Sequence, residues 1–322
     1  MPVIAALLAA LPFFLTAGDA IAQSNYPNKP IRMVVGFAPA GPADLIARVI
    51  GDKLTEAWGQ SVVIENVTGA GANIAGDRVA KAAPDGYTLL LVPTSHVINP
   101  SVYAKLPYDT RRDFAPVSLI ASASIMLAVN PSVQARNVAE LVLVARSGGS
   151  VANFGSAGIG TVFHLVGELF KKLASLDVVH VPYRGGAPVV NALLANEIPM
   201  AFETVLALRP HVDSGRLRRL VVTQATRSTA APNVPSAVEA GFPDLIADNS
   251  YALFAPTGTL TAVVEVLSRE VRTILADPET ARQLSEQGAE VVASTPAELG
   301  LYVDRELTKW AAVVRDAGIR PE

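Results

Sequence analysis

Short apolar runs alternate with amphipathic stretches along this chain from residue 31 onward. Ile31–Val35 has the continuous apolar character of a strand, and Asp44–Ala57 places Leu45, Ile46, Val49, Ile50 and Leu54 on one helical face. Val62–Glu65 reads as a strand, Asn73–Ala82 as a helix, Asp85-Gly86 as a turn and Tyr87–Val92 as a strand. The alternation returns with a strand at Val151–Phe154, a helix over Thr161–Leu173, a strand at Val178–Val181, a helix over Ala187–Leu194 and a strand at Met200–Phe202. Such a pattern predicts a mostly parallel α/β sheet with helices on both faces, its loops gathered at the sheet edges by right-handed crossovers. The C-terminal stretch reads as helical. Asp277-Pro278 and Thr295-Pro296-Ala297-Glu298 are helix starts, the second a capping box, and Gly318 closes the last helix.

A length of 322 residues fits about two domains at ~150 residues each. No tandem repeat or low-complexity linker separates the two α/β units, so they are expected to be lobes joined by crossing strands. The crossings fall near Ala121–Val129 and Leu220–Ala225. Lobe one is then residues 25–125 plus 226–322, and lobe two residues 126–225. Composition narrows the function. The chain is 50% hydrophobic and 17% charged with a formal net charge of -3, so no basic arm or patch predicts nucleic-acid binding. Absence of cysteine excludes a disulfide framework, a thiol nucleophile and a cysteine-based zinc site. Residues 1–22 stand apart: "VIAALLAALPFFL" is a short apolar core, and Ala20-Ile21-Ala22 before Gln23 has the small-x-small form of a cleavage site. An exported, periplasmic product without a lipid anchor is expected.

The candidate chemistry lies in two strand-to-helix loops. Phe37-Ala38-Pro39-Ala40-Gly41-Pro42-Ala43-Asp44 joins the first strand to the first helix. A helix start offers unpartnered N–H groups and the positive end of the dipole, enough to hold an anion without a cationic side chain. Gly41 permits close approach, and Pro39 and Pro42 stiffen the loop. Asp44 either stabilises the helix N-terminus or meets a ligand amine, hydroxyl or water. Phe154-Gly155-Ser156-Ala157-Gly158-Ile159-Gly160-Thr161 repeats the design, with hydroxyls at Ser156 and Thr161 and bare backbone at Gly158 and Gly160. One such loop in each lobe suggests an anion gripped between them.

Other chemistries fit less well. The glycines of Gly69-Ala70-Gly71-Ala72-Asn73-Ile74-Ala75-Gly76 miss the dinucleotide fingerprint, because Ile74 holds its third glycine position. Phe154-Gly155-Ser156-Ala157-Gly158 lacks the first glycine of a nucleophile elbow, and a hydrolase would need Asp177 with His180 or His211. His164 and Glu168 have helical i,i+4 spacing but no further ligand motif. No cofactor, metal or catalytic residue is therefore expected. His96, just past a strand end, either lines the pocket or hydrogen-bonds its loop.

The segments "FAPAGPADLIAR", "GAGANIAGDRVAKAAPDGYTLL", "HVINPSVY", "FGSAGIGTVFHLVGELF", "VPYRGGAPVVNALL", "SGRLRRLVVT", "AGFPDL" and "AELGLYVDRELTKWAAVVRDAGI" together resemble the extracytoplasmic solute receptors of tripartite tricarboxylate transporters, the Bug/TctC-like substrate-binding proteins. The resemblance runs in order from about Pro30 to Gly318. It implies a type II periplasmic-binding-protein fold, two α/β lobes with a ligand cleft between them. It also implies delivery of an organic acid to a permease of one large and one small subunit, with the ligand carboxylate held by the two loops. Phe37, Ala40, Gly41 and Asp44 match the first family loop, and Ser156, Gly158, Gly160 and Thr161 the second. Gly41-Pro42 replaces a common Gly-Gly pair, which removes one backbone donor. Thr94, His96, Glu203 and Thr204 are expected to meet the far end of the ligand, with Tyr251 a weaker candidate. The chain is expected to act as a monomer. The rival classes are a ligand-sensing partner of a signalling receptor and a serine hydrolase using Ser156.

Overall fold

The computed structural model describes residues 26–147 and 151–321, so the expected export segment lies outside the described residues. Ten strands form one curled sheet in the order β2-β1-β3-β9-β4-β7-β5-β6, with β8 and β10 also paired to β4. Strands β1 (Ile31–Val35), β2 (Val62–Asn66) and β3 (Thr88–Pro93) are parallel neighbours. Their near-continuous apolar sequences suit strands covered on both faces. Helix α1 (Pro42–Trp58) starts with extended Gly41 at its N-cap and proline at the first helical position, and stops at left-handed Gly59. Helices α2 (Asn73–Ala80) and α3 (Ser95–Val102) follow β2 and β3.

Strand β4 (Phe114–Val129) organises the molecule. Nearly all of its sixteen residues are buried, Ser118, Ser122 and Ser124 included, so no side alternates between core and solvent. Its first part pairs antiparallel with β9 (Asp248–Pro256) up to Ser124, and from Ile125 onward it pairs with β7 (Met200–Thr204) and, from Met126, β8 (Arg218–Val222). One strand thus passes between two α/β halves. The second half adds α4 (Val138–Arg146), β5 (Asn153–Ser156), α5 (Val162–Leu173), β6 (Val179–Pro182), α6 (Gly186–Leu194) and α7 (Val205–Asp213). After β8 the chain stays against this half, where Val234 packs with Met126, Val205 and Val222. It then returns at Asp248. Thr223 marks the return by donating N–H to Ile125 O at 2.9 Å and Oγ1–H to Ala247 O at 2.7 Å. Helices α8 (Thr261–Leu275), α9 (Pro278–Glu286) and α10 (Pro296–Asp316), with short strand β10 (Glu290–Val291), complete the first half. The capping box at Thr295 and Glu298 forms as its sequence predicts.

Strand direction decides where the loops go. β9 is antiparallel to both β3 and β4, so β1, β2 and β3 run the same way as β4, toward the second half. β7 is antiparallel to β4 and parallel to β5, so β5, β6 and β7 run back toward the first half. The C-terminal ends of both parallel sets therefore point at the divide near Ser124 and Ile125. That is the position at which open α/β sheets bind ligands.

Candidate functional site

The first loop is built around a carboxylate. Asp44 is only 1% exposed. Its Oδ2 accepts from Ala40 N at 2.8 Å and Arg48 Nε at 2.9 Å, and its Oδ1 from Arg48 Nη2 at 3.0 Å and Asn66 Nδ2 at 2.9 Å. Asn66 Nδ2 also reaches Phe37 O at 2.9 Å, which ties the end of β2 to the loop. Burial alone would raise the pKa of Asp44, but the Arg48, Ala40 and Asn66 donors hold it below the ordinary value. A carboxylate has about four lone-pair positions, and these donors fill them. Asp44 is thus an internal anchor of the loop, the helix-stabilising side of its expected role. Ala40, held by that anchor, adopts a left-handed φ of 63° that is uncommon for a residue with a Cβ.

The second loop is held from below by side chains of its own half. Ser156 is fully buried, and its Oγ lies 2.6 Å from His180 Nε2 on β6 and accepts from Gly158 N at 3.2 Å. Thr161 caps α5, accepting from His164 N, and donates its own hydroxyl to Gly158 O at 2.7 Å. His164 Nδ1 accepts from Gly160 N at 3.2 Å. Gly158 and Gly160 have φ values of 136° and 73°, both in the region that favours glycine. A Cβ at Gly160 would sit 3.1 Å from Val102 Cγ2 at the end of α3, so this loop closes directly on the other half.

His164 and His180 stack with ring centroids 3.9 Å apart. Burial lowers the pKa of His164 to about 3, helped by the neighbouring His180, and that of His180 to about 4. Both rings are therefore neutral at pH 7. His180 offers one nitrogen to Ser156 and a face to His164, while Asp177, the acid a serine hydrolase would need, lies exposed on the surface. Glu168, the other member of the i,i+4 pair, faces Lys171 at 3.8 Å. Among the described residues no cluster of three or more potential ligands could hold a metal ion.

His96 lines a small cavity with Thr94, Ser250 and Phe254. It lies inside α3, 3% exposed, with its ring centroid 4.7 Å from Phe114, 5.1 Å from Phe254 and 5.6 Å from Tyr108. Its Nε2 has no hydrogen-bond partner among the described residues, and burial lowers its pKa to about 3. The helical turn after Pro93 packs the ring against three aromatic side chains. These three histidines make an acid-stability prediction. Their folded pKa values lie below the ordinary ~6.5, so below pH ~6.5 the unfolded chain binds more protons and stability falls with pH toward 3–4. Urea unfolding should show a loss of more than ~1 kcal/mol per pH unit between pH 6 and 4, reduced when His96 and His164 are both replaced by glutamine.

The other expected residues sit at the divide. Thr94 Oγ1 accepts from Ser250 N at 2.8 Å, which fixes the β3 end to β9. Thr204 caps α7 by accepting from Ala207 N at 3.3 Å. Glu203 is 4% exposed; its Oε1 accepts from Thr204 N at 2.8 Å, and its Oε2 has no partner among the described residues. Burial raises its pKa to about 7. Burial pushes the Tyr251 phenol up, and the nearby Glu203 carboxylate adds to the effect. Asn249 Nδ2 donates to Tyr251 Oη at 3.1 Å.

Sequence reasoning missed three participants. Ser95, the first residue of α3, has a buried Oγ without a partner among the described residues; its place directly after a strand end was the available signal. Asn66 carries no motif, and its role depends on contacts across the fold. The Tyr183–Gly186 stretch is laced to the second loop by Tyr183 N to Ser156 O at 2.9 Å and Gly185 N to Ala157 O at 3.1 Å. Its paired glycines after β6 could have marked a third strand-to-helix loop.

Known proteins resemble this chain in fold and sequence. The family model described as "Tripartite tricarboxylate transporter family receptor" matches residues 46–319. Protein BugT of Bordetella pertussis is 34% identical over 98% of this chain and 98% of its own length. The R. palustris protein Rpa4515, solved with adipate, is 32% identical with a TM-score of 0.80, covering 92% of this chain and all of that one (100%). MatC (Rpa3494) from Rhodopseudomonas palustris, solved with bound malate, is 30% identical with a TM-score of 0.76, covering 90% of this chain and 100% of that one. The fold is the two-lobed periplasmic-binding-protein fold that the resemblance implied. No helix among the described residues is long and apolar enough to cross a membrane. With its order of segments, its facing loops and a family match over most of its length, the chain belongs to the tripartite tricarboxylate transporter receptor family.

Proposed function

We propose that the protein is a non-catalytic periplasmic receptor, exported by residues 1–22, that captures a small organic carboxylate and delivers it to a membrane permease of one large and one small subunit. The expected lobes are residues 25–125 plus 226–322 and residues 126–225, but the 226–247 stretch packs on the second half, through Val234 against Met126, Val205 and Val222 and through Val222 N to Pro235 O, and would move with it. The observation that carries this reading is the opposed strand direction, which aims two glycine-bearing strand-to-helix loops at one divide. Backbone N–H groups at the starts of α1 and α5 supply the anion's partners. Pro42 has no N–H and Gly41 N already meets Ala38 O at 3.4 Å, so the Ala43 and Asp44 N–H groups carry the first loop's share. Ser95, whose Oγ has no partner among the described residues, adds a hydroxyl, while the Ser156 and Thr161 hydroxyls hold the second loop's backbone in place. Relatives solved with adipate and malate support a carboxylate as the ligand class. Closure of the lobes about β4 would present a shape that the permease reads.

A thermal-shift panel tests the reading. The protein from Gln23 onward is heated with aliphatic mono-, di- and tricarboxylates, amino acids and aromatic acids, each beside its amide. A ligand that binds the native state alone raises Tm by mass action, by ~2.7 kcal/mol of stability at a hundredfold excess over Kd. At least one acid should raise Tm while its amide does not. Equal shifts with acid and amide would overturn the carboxylate cradle.

A further inference from the structure

Glu203 is the one buried carboxylate at the divide with an oxygen left over among the described residues. Oε1 is committed to Thr204 N, whereas Oε2 points to the start of α6: a Cβ placed on Gly186 would lie 2.7 Å from it. That helix start has its own unmet need. Gly185 caps α6 without a side-chain hydrogen bond, and its φ of 103° keeps the backbone bare, with open space where a Cβ would be. The first N–H groups of a helix have no partner within it. An acceptor in want of a donor therefore stands beside donors in want of an acceptor, and the Tyr251 phenol is close by.

The chemistry of the pair sorts the possible ligand groups. A second carboxylate would suit the helix start but face the Glu203 charge. An ammonium would suit Glu203 but face the positive end of the helix dipole. A hydroxyl serves both, donating to Oε2 and accepting from the α6 backbone. An aliphatic group would leave both unmet, which is costly in a buried site.

We propose that Glu203 Oε2 and the N-terminus of α6 form a hydroxyl-reading subsite, which makes the protein selective for hydroxy carboxylates. The proposal rests on the carboxylate-receptor reading and names its ligand class. The raised pKa of Glu203 adds a signature: below pH 7 its carboxyl becomes a donor and no longer repels a second carboxylate.

Isothermal titration at pH 8 with monohydroxy, monoamino, unsubstituted and dicarboxylic versions of butanoate, pentanoate and hexanoate tests it. At least one hydroxy acid should bind ten times or more tighter than its unsubstituted and amino counterparts. In Glu203→Gln, circular dichroism should stay unchanged. Affinity for that hydroxy acid should fall at least tenfold, while affinity for the matching dicarboxylate rises. Should that variant fail to fold, the wild-type protein still decides: dicarboxylate binding should tighten between pH 8 and pH 6, and hydroxy-acid binding should change less. Acids that bind without preference for a hydroxyl, and indifferently to Glu203→Gln, would overturn the subsite and leave the receptor reading standing. No binding of any acid would overturn both.

Discussion

Gly158→Val is expected to cost the protein its ligand, with affinity falling at least ~100-fold, or ~2.7 kcal/mol. Space is not the obstacle, since a Cβ there would meet Tyr183 O at 3.4 Å, an ordinary contact. The obstacle is the backbone: φ at Gly158 is 136°, and a β-branched residue forced there carries ~1–3 kcal/mol of strain. The chain can relieve that strain by turning the peptide, but both ends of Gly158 are tied. Its N–H meets Ser156 Oγ, and its carbonyl accepts from Thr161 Oγ1 and Thr161 N. Relief therefore dismantles the loop that presents its backbone to the cleft. Strand β5 ends at Ser156 and α5 begins at Val162, so the core elements on either side remain. The expected result is a native circular dichroism spectrum, a small drop in Tm and no titratable binding of an acid that the wild type binds. Normal affinity in a folded Gly158→Val protein would remove the second loop from the site.

Asp44→Ala should damage the opposite wall and the fold together. The carboxylate collects four hydrogen bonds from three residues. Arg48 is half-exposed and can turn to water, but Ala40 N and Asn66 Nδ2 would lose a partner inside the loop. Leaving such groups unsatisfied costs ~1–3 kcal/mol each, so urea unfolding should show a loss of ~2–4 kcal/mol. Ala40 would also leave its left-handed conformation, and ligand affinity should fall at least tenfold as the first loop loosens. The pH dependence carries its own sign. The folded pKa of Asp44 is depressed, so its contribution is present above the unfolded value of ~3.9 and is lost as pH falls through the folded pKa. In Asp44→Ala that part of the acid unfolding profile should disappear. A variant as stable as the wild type would show that Asp44 does not anchor the loop.

Asp44 also shows how little a residue type reveals about its use. An acid at the start of a helix is legible as an N-terminal residue, and the dipole argument needs nothing more. That it holds Ala40, Arg48 and Asn66 at once depends on β2 ending beside β1, a contact between residues 22 positions apart. His96 makes the same point in the other direction. Its position after a strand end predicted a place in the cleft. The turn of α3 also sets it against Phe114 and Phe254, from strands that no local pattern joins to it.

By itself the sequence determined the alternating α/β plan, the two loops and their glycines, the capped C-terminal helices and the ordered family segments. These are local matters: periodicity, caps and positive-φ demands act over a few residues, so they can be read from a few residues. The length of β4 could not be read, because a strand buried on both faces has no period to display. Helices α3, α4 and α7 were missed beside it, the first hidden by Pro100 near its end. The tertiary structure alone decided that the two parallel sets run toward each other, that Ser156 rests on His180, and that Glu203 keeps one oxygen without a partner among the described residues, beside the start of α6. Each of these joins groups distant along the chain, and only the packing of the whole sheet brings them within reach.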